Sequence, residues 1–197
     1  MFLEAGARVA YTACVNKSEL LAYLTGLDQA LQQPAMLCVY GSAALILLDE
    51  PDRTSADVDV AAPYSRADFG DLQRAAALAG LPVNPDESHR GDHIEWIAAL
   101  RLCLPPPETG TEIVLWQGTR LTIKTVPVPQ LIASKLVRYD AIDQSDIQYL
   151  CSQTKVDFLS VAAAVRTLPP PFDRDALVLE NLRNLETDLK LWRGEEP

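Results

Sequence analysis

Positive charge is scarce in this chain of 197 residues: 17 lysines and arginines stand against 27 acidic residues, with no basic run anywhere. A phosphate backbone demands clustered Lys and Arg, so the net charge of −10 argues against an extended nucleic acid as a tight, unaided partner. The four cysteines, Cys14, Cys38, Cys103 and Cys151, share no Cys-x-x-Cys or other paired spacing. That speaks against zinc and disulfide frameworks and leaves small core residues. His89 and His93 have no third ligand beside them and read as loop residues near the start of a strand or helix. No apolar run reaches membrane-spanning length, and residues 1–10 lack the charged-then-apolar layout of a signal peptide. The cytoplasm is therefore the expected location, and no membrane the expected partner. Internal repeats and low-complexity linkers are absent as well. What remains is ordinary for a globular protein, 48% apolar and 22% charged. It is enough for one domain, or for one with a helical appendage.

Against that background, the stretch from Cys38 to Pro63, CVYGSAALILLDEPDRTSADVDVAAP, carries the most chemistry. Met36 to Tyr40 is a compact apolar run ending at glycine, which predicts a buried strand. Gly41 permits a turn that a side chain would block, and Ser42 is a good N-cap for a short apolar helix over Ala43 to Leu48. The unpaired N–H groups at such a helix start suit a triphosphate, so Gly41 and Ser42 are the expected nucleotide-binding turn. Arg53-Thr54-Ser55 then leads into a second strand, Asp57 to Ala62. Side chains alternate along a strand, so Asp57 and Asp59 face one way while Val58 and Val60 enter the core. Two carboxylates this close repel unless a cation sits between them. Mg²⁺ (or Mn²⁺) favours one or two carboxylates plus phosphate oxygens, which makes Asp57 and Asp59 the candidate metal ligands. An isolated Asp-x-Asp more often marks the wet face of an edge strand. Its place behind strand, Gly-Ser and helix sets this one apart.

The rest of the chain reads as follows. Ser18 to Gln33 is an amphipathic helix with Leu20, Leu21, Leu24, Leu27 and Leu31 on one face. Ser65 to Ala79 is a further helix, capped by Ser65 and stopped by Gly80. Asp92 to Leu104 is ambiguous between strand and helix and leans to helix. Glu112–Trp116 and Arg120–Val126 form a hairpin around Gln117-Gly118. Helices then cover Leu131 to Tyr139, Asp143 to Ser152 with Asp143 as its N-cap, Val156 to Leu168, and Arg174 to Trp192. The last presents a stripe of Leu177, Leu179, Leu182, Leu185 and Leu189, suited to packing on the body or on a partner. Residues 1–126 would form an α/β core and 127–197 a helical part packed on it, the two together making one domain or two.

Hydrophobic strand, Gly-Ser, helix and Asp-x-Asp strand together resemble the nucleotidyltransferase superfold. A second stretch, VPVPQLIASKLVRYDAIDQSDIQYL from Val126 to Leu150, is similar to the downstream half of AbiEii-type bacterial proteins. The two motifs span over half the chain. The resemblance implies an α+β fold, a mixed β-sheet flanked by helices with a helical C-terminal part. It implies transfer of a nucleoside monophosphate from an NTP to an acceptor hydroxyl on a small molecule, a protein or an RNA end. It assigns catalysis to Asp57, Asp59, Lys135 and Asp146, with Lys135 on the nucleotide phosphates. Relatives of this kind serve as toxins or abortive-infection effectors beside a small antitoxin, so an antitoxin-like protein is an implied partner. One element of the superfold's pattern is missing from the reading: neither hairpin strand offers a third central carboxylate. Either Asp146 substitutes for it, or the fold is catalytically degenerate and binds nucleotide or protein. A pure interaction protein, using the C-terminal leucine face, is the remaining alternative.

Overall fold

The computed structural model describes residues 14–108 and 110–194, so residues 1–10, read above for a leader, lie outside the described part. Among the described residues the fold is α+β, with a small mixed sheet and seven α-helices. Helix α1 (Lys17–Ala30) opens with a reciprocal capping box, Asn16 Oδ1 accepting from the Glu19 N–H at 3.1 Å and Glu19 Oε2 from the Asn16 N–H at 3.0 Å. Leu20, Leu24 and Leu27 bury its inner face. Strand β1 (Ala35–Cys38) follows, then α2 (Gly41–Leu47), β2 (Asp57–Ala61), α3 (Phe69–Leu78) and β3 (His93–Ile97). The hairpin β4 (Ile113–Gln117) and β5 (Leu121–Thr125) leads into the helices α4 (Val128–Lys135), α5 (Ala141–Gln153), α6 (Phe158–Val165) and α7 (Ala176–Trp192).

Strand β5 lies between β1, its parallel neighbour, and β4, its antiparallel one. Strands β2 and β3 pair in parallel. The Val39–Val60 bridge, with the Tyr40 N–H donating to the Asp59 carbonyl at 3.1 Å, ties the two pieces together. Buried side chains from the sheet and from α1 to α7 form one hydrophobic cluster. Among the described residues no helix is long and apolar enough to cross a membrane.

Four elements depart from the sequence expectation. The stretch that leaned to helix is instead strand β3 followed by a turn at Ala98–Arg101. Ile94 and Ile97 are buried beside Val58 and Ala61 of β2, and that pairing decides the conformation of a run whose local pattern suits either state. Ser65 caps no helix. Its hydroxyl donates to the Ala61 carbonyl and accepts from the Cys38 N–H, both at 2.9 Å, and α3 starts later with Asp68 as its cap. Helix α5 is capped by Asp140, which accepts from the N–H groups of Ile142 and Asp143, so Asp143 is inside the first turn and buried. In α7 the inner stripe is Val178, Asn181, Leu185 and Leu189, leaving Leu177 and Leu179 exposed. Asn181 Nδ2 donates to the Leu136 carbonyl at 2.8 Å, which seats α7 on the body and selects this face.

The hairpin is held from outside the sheet. Asp28 of α1 accepts from the backbone N–H groups of Thr119, Arg120 and Leu121 at 3.0, 2.7 and 2.7 Å. At Gly118 any Cβ would collide with this carboxylate, so the turn requires glycine. Burial acts to raise the Asp28 pKa, but the three N–H donors outweigh it and hold the carboxyl below its ordinary range. Asp28→Ala is expected to lower unfolding free energy by about 2 kcal/mol in urea denaturation near neutral pH. The folded pKa is depressed, so this contribution is present above the ordinary carboxylate pKa and is lost as pH falls through the folded value. The gap between wild type and variant should shrink in acid.

Candidate functional site

Strand β2 carries Asp57 and Asp59 on one face, with Val58 and Val60 buried on the other. Parallel pairing sets His93 opposite Asp57 and Glu95 opposite Asp59. Opposed residues of a ladder share a face, so the second strand adds a carboxylate to the pair. One oxygen each from Asp57, Asp59 and Glu95 lies within 4.8 Å of the others, all three residues being half-buried. Hard carboxylate oxygens at this spacing suit a divalent cation such as Mg²⁺ or Mn²⁺.

Glu95 was not among the residues singled out from the sequence. The signal was present in HIEWI, where His93 and Glu95 alternate with the buried Ile94, but a helical reading scatters those side chains. Asp146, offered above as a substitute for the third acid, is elsewhere.

The turn before α2 is built around the same carboxylates. Gly41 has φ +64°, and an added Cβ would fall well inside contact distance of Asp59 Oδ2. Glycine is therefore required twice over, by conformation and by the approach of Asp59. Ser42 is not the N-cap: Tyr40 occupies that position, and Ser42 Oγ accepts from Arg53 at 2.7 Å.

Lys135 closes α4 and is 8% exposed. Its Nζ donates to Asp146 Oδ2 and, at 3.3 Å, to Asp143 Oδ1. Asp146 also accepts from Arg53 at 3.0 Å, and Asp143 accepts from Arg138 at 2.9 and 3.0 Å. Both carboxylates are buried, so loss of either would leave the buried Lys135 with a single acid partner. Asp146 thus holds Lys135 and Arg53 in place. Glu50, near Arg53, is pushed up to about 7 by burial and by the Asp146 charge.

A cleft of about 320 Å³ brings most of these groups together: Gly41, Ser42, Asp57, Asp59 and Lys135 line it, with Tyr40, Cys103, Ser134, Val137, Arg138 and Asp143. Of the residues expected from the sequence, five share this cleft; Asp146, 1% exposed, stands behind Lys135. The histidines serve no such cluster: His93 begins β3, and His89 is in the preceding loop with its ring 6.1 Å from that of His93. Among the described cysteines all four are unpaired; Cys38 is buried, Cys103 and Cys151 partly so, and Cys14 exposed. Compared with family models, with curated proteins and with solved structures, the chain gives no match. The chemistry of the site has to carry its own interpretation.

Burial first, then the charges of Asp57 and Glu95, push the Asp59 carboxyl up to about 7. A raised carboxyl pKa means that the folded state holds a proton which the unfolded state releases near its ordinary value of 3.8. Stability of the cation-free protein therefore falls as pH rises from about 4 to about 7. Asp59→Asn removes this penalty. Thermal melts in a chelator should show the variant more stable than wild type above pH 7, with the difference vanishing in acid. Added Mg²⁺ should raise the melting temperature of wild type and leave that of the variant unmoved.

Proposed function

We propose that this protein is a metal-dependent nucleotidyltransferase of the superfold its sequence resembles, acting on an NTP and an acceptor hydroxyl. The observation that carries the reading is the three-carboxylate cluster of Asp57, Asp59 and Glu95, two of whose members, Asp57 and Asp59, line a cleft together with Gly41 and Lys135. Asp57, Asp59 and Glu95 would hold Mg²⁺ (or Mn²⁺). When bound, such a cation neutralises triphosphate charge and lowers the pKa of an attacking hydroxyl. Gly41 lets the Asp59 carboxylate lie directly against the turn, where a Cβ would collide with it. Lys135 offsets the negative charge that grows as the acceptor oxygen bonds to the α-phosphorus and the bond to the bridging oxygen breaks. Pyrophosphate leaves, and the hydroxyl proton passes to solvent. Asp143 and Asp146 keep the lysine Nζ aimed from α4.

The degenerate-fold alternative rested on a missing third carboxylate. Glu95 supplies an acid on the strand next to Asp59, and with it the motive for that alternative lapses. The interaction-protein alternative rested on a leucine stripe of which Leu185 and Leu189 are buried within the chain while Leu177 and Leu179 stay exposed. The acidic charge still favours a small-molecule or protein acceptor, or an RNA end, over extended nucleic acid, and an antitoxin-like partner stays part of the proposal.

Calorimetric titration with each NTP, with and without Mg²⁺, tests the proposal. Wild type should bind at least one NTP in a Mg²⁺-dependent way. Asp57→Ala/Asp59→Ala should abolish binding, and Glu95→Gln should weaken it by about tenfold or more. Failure of every NTP to bind would sink the enzyme reading.

A further inference from the structure

The third carboxylate already has a cation beside it. Arg101, in the turn that follows β3, donates from Nη2 to Glu95 Oε1 at 2.6 Å. Its side chain is 72% exposed and has no other carboxylate partner among the described residues. A Glu95 oxygen lies within 4.8 Å of oxygens of Asp57 and Asp59, which line the cleft, so the guanidinium bonded to Glu95 stands beside it. Its positive charge is felt at Asp59 and Tyr40 as well as at Glu95. Three carboxylates that repel one another thus receive a single directly bonded counter-ion, carried on an exposed turn rather than packed in the core.

We infer that Arg101 is a displaceable internal counter-ion: it competes with a divalent cation for Glu95 and, once released, serves as a phosphate-binding residue at the edge of the cleft. The inference rests on the metal-dependent reading given above. A guanidinium–carboxylate pair whose guanidinium is largely in solvent is weak enough for a divalent cation to displace it. A guanidinium is also the side chain best matched to paired phosphate oxygens. The two roles have opposite consequences. Loss of Arg101 should favour the bare cation, since Glu95 no longer has to be released, and disfavour a cation-bound polyphosphate, since a donor to the anion is gone.

The test uses Mn²⁺ alone and tripolyphosphate at saturating Mg²⁺ as probes, both followed by calorimetry on the full chain. Arg101→Gln, at an exposed position, is compared with wild type and with Arg90→Gln. The latter makes the same charge change at an exposed arginine bonded only to the carbonyls of Glu87 and His89. Arg101→Gln should bind Mn²⁺ about threefold more tightly and tripolyphosphate about tenfold more weakly than wild type. Arg90→Gln should match wild type with both probes. Equal affinities of Arg101→Gln and wild type for either probe, or shifts of the same sign for both, would overturn the inference. If Mn²⁺ binds wild type and is lost in Asp57→Ala/Asp59→Ala while Arg101→Gln is unchanged, the metal reading stands and only the role of Arg101 falls. Absence of Mn²⁺ binding by any of these proteins overturns both.

Discussion

Parallel pairing of β2 with β3 determines what the rest of the molecule must accommodate. The register is pinned by apolar residues, Val58 and Val60 on one strand and Ile94 on the other, all buried. A slip by one residue would drive Asp57 and Asp59 into the core and turn the valines out, so the hydrophobic pattern enforces the register strongly. The same register brings Asp57, Asp59 and Glu95 together on the opposite side, where their charges repel. Core packing therefore imposes an electrostatic strain that the strands themselves cannot relieve. Asp59 shows it most plainly, since its carboxyl keeps a proton up to about pH 7.

The helical part answers with the opposite charge, and it does so through a detail of helix initiation. Because α5 is capped by Asp140, Asp143 is carried one turn inward and Asp146 a further turn along the same face. Both become buried acceptors for Lys135, and each also engages an arginine, Asp143 with Arg138 and Asp146 with Arg53. A buried network of this sort adds little net stability over apolar packing, but it fixes geometry, since each member left alone would be a buried unpaired charge. Arg53 extends the network to Ser42, so the turn after β1 and the helix after β5 are held in one arrangement.

Much of this was legible in the sequence wherever a residue's role is set locally. Gly41 could be read because only glycine suits the turn, and the spacing of Asp57 and Asp59 fixes their common face whatever surrounds them. The strand and hairpin positions followed from alternation and from Gln117-Gly118. What could not be read depends on partners far along the chain. β3 is a strand because β2 lies beside it, and Glu95 became visible only with that pairing. Ser65 caps nothing because Cys38 and Ala61 claim its hydroxyl. The buried face of α7 is set by Asn181 reaching the Leu136 carbonyl, which the leucine spacing alone does not reveal. Asp146 was expected among the catalytic acids; its place behind Lys135, away from Asp57 and Asp59, is a matter of tertiary packing.

Taken together, these contacts give the cleft two unlike walls. On the β2–β3 side Asp57 and Asp59 line it, with Glu95 beside them bonded to the guanidinium of Arg101. On the α4 side Lys135 and Arg138 line it as donors already paired with Asp143, which also lines it, and with Asp146 behind Lys135. A purely anionic ligand would meet repulsion at the first wall, and a bare cation would gain nothing from the second. A ligand carrying both signs, a divalent cation held by a polyphosphate, matches each wall with its opposite. The chain's overall negative charge acts the same way, because it repels a free polyphosphate at long range more strongly than one whose charge a divalent cation partly offsets. Under the proposed function, the combination of the two walls, rather than any single residue, is what would favour a metal–nucleotide complex over nucleotide or metal alone.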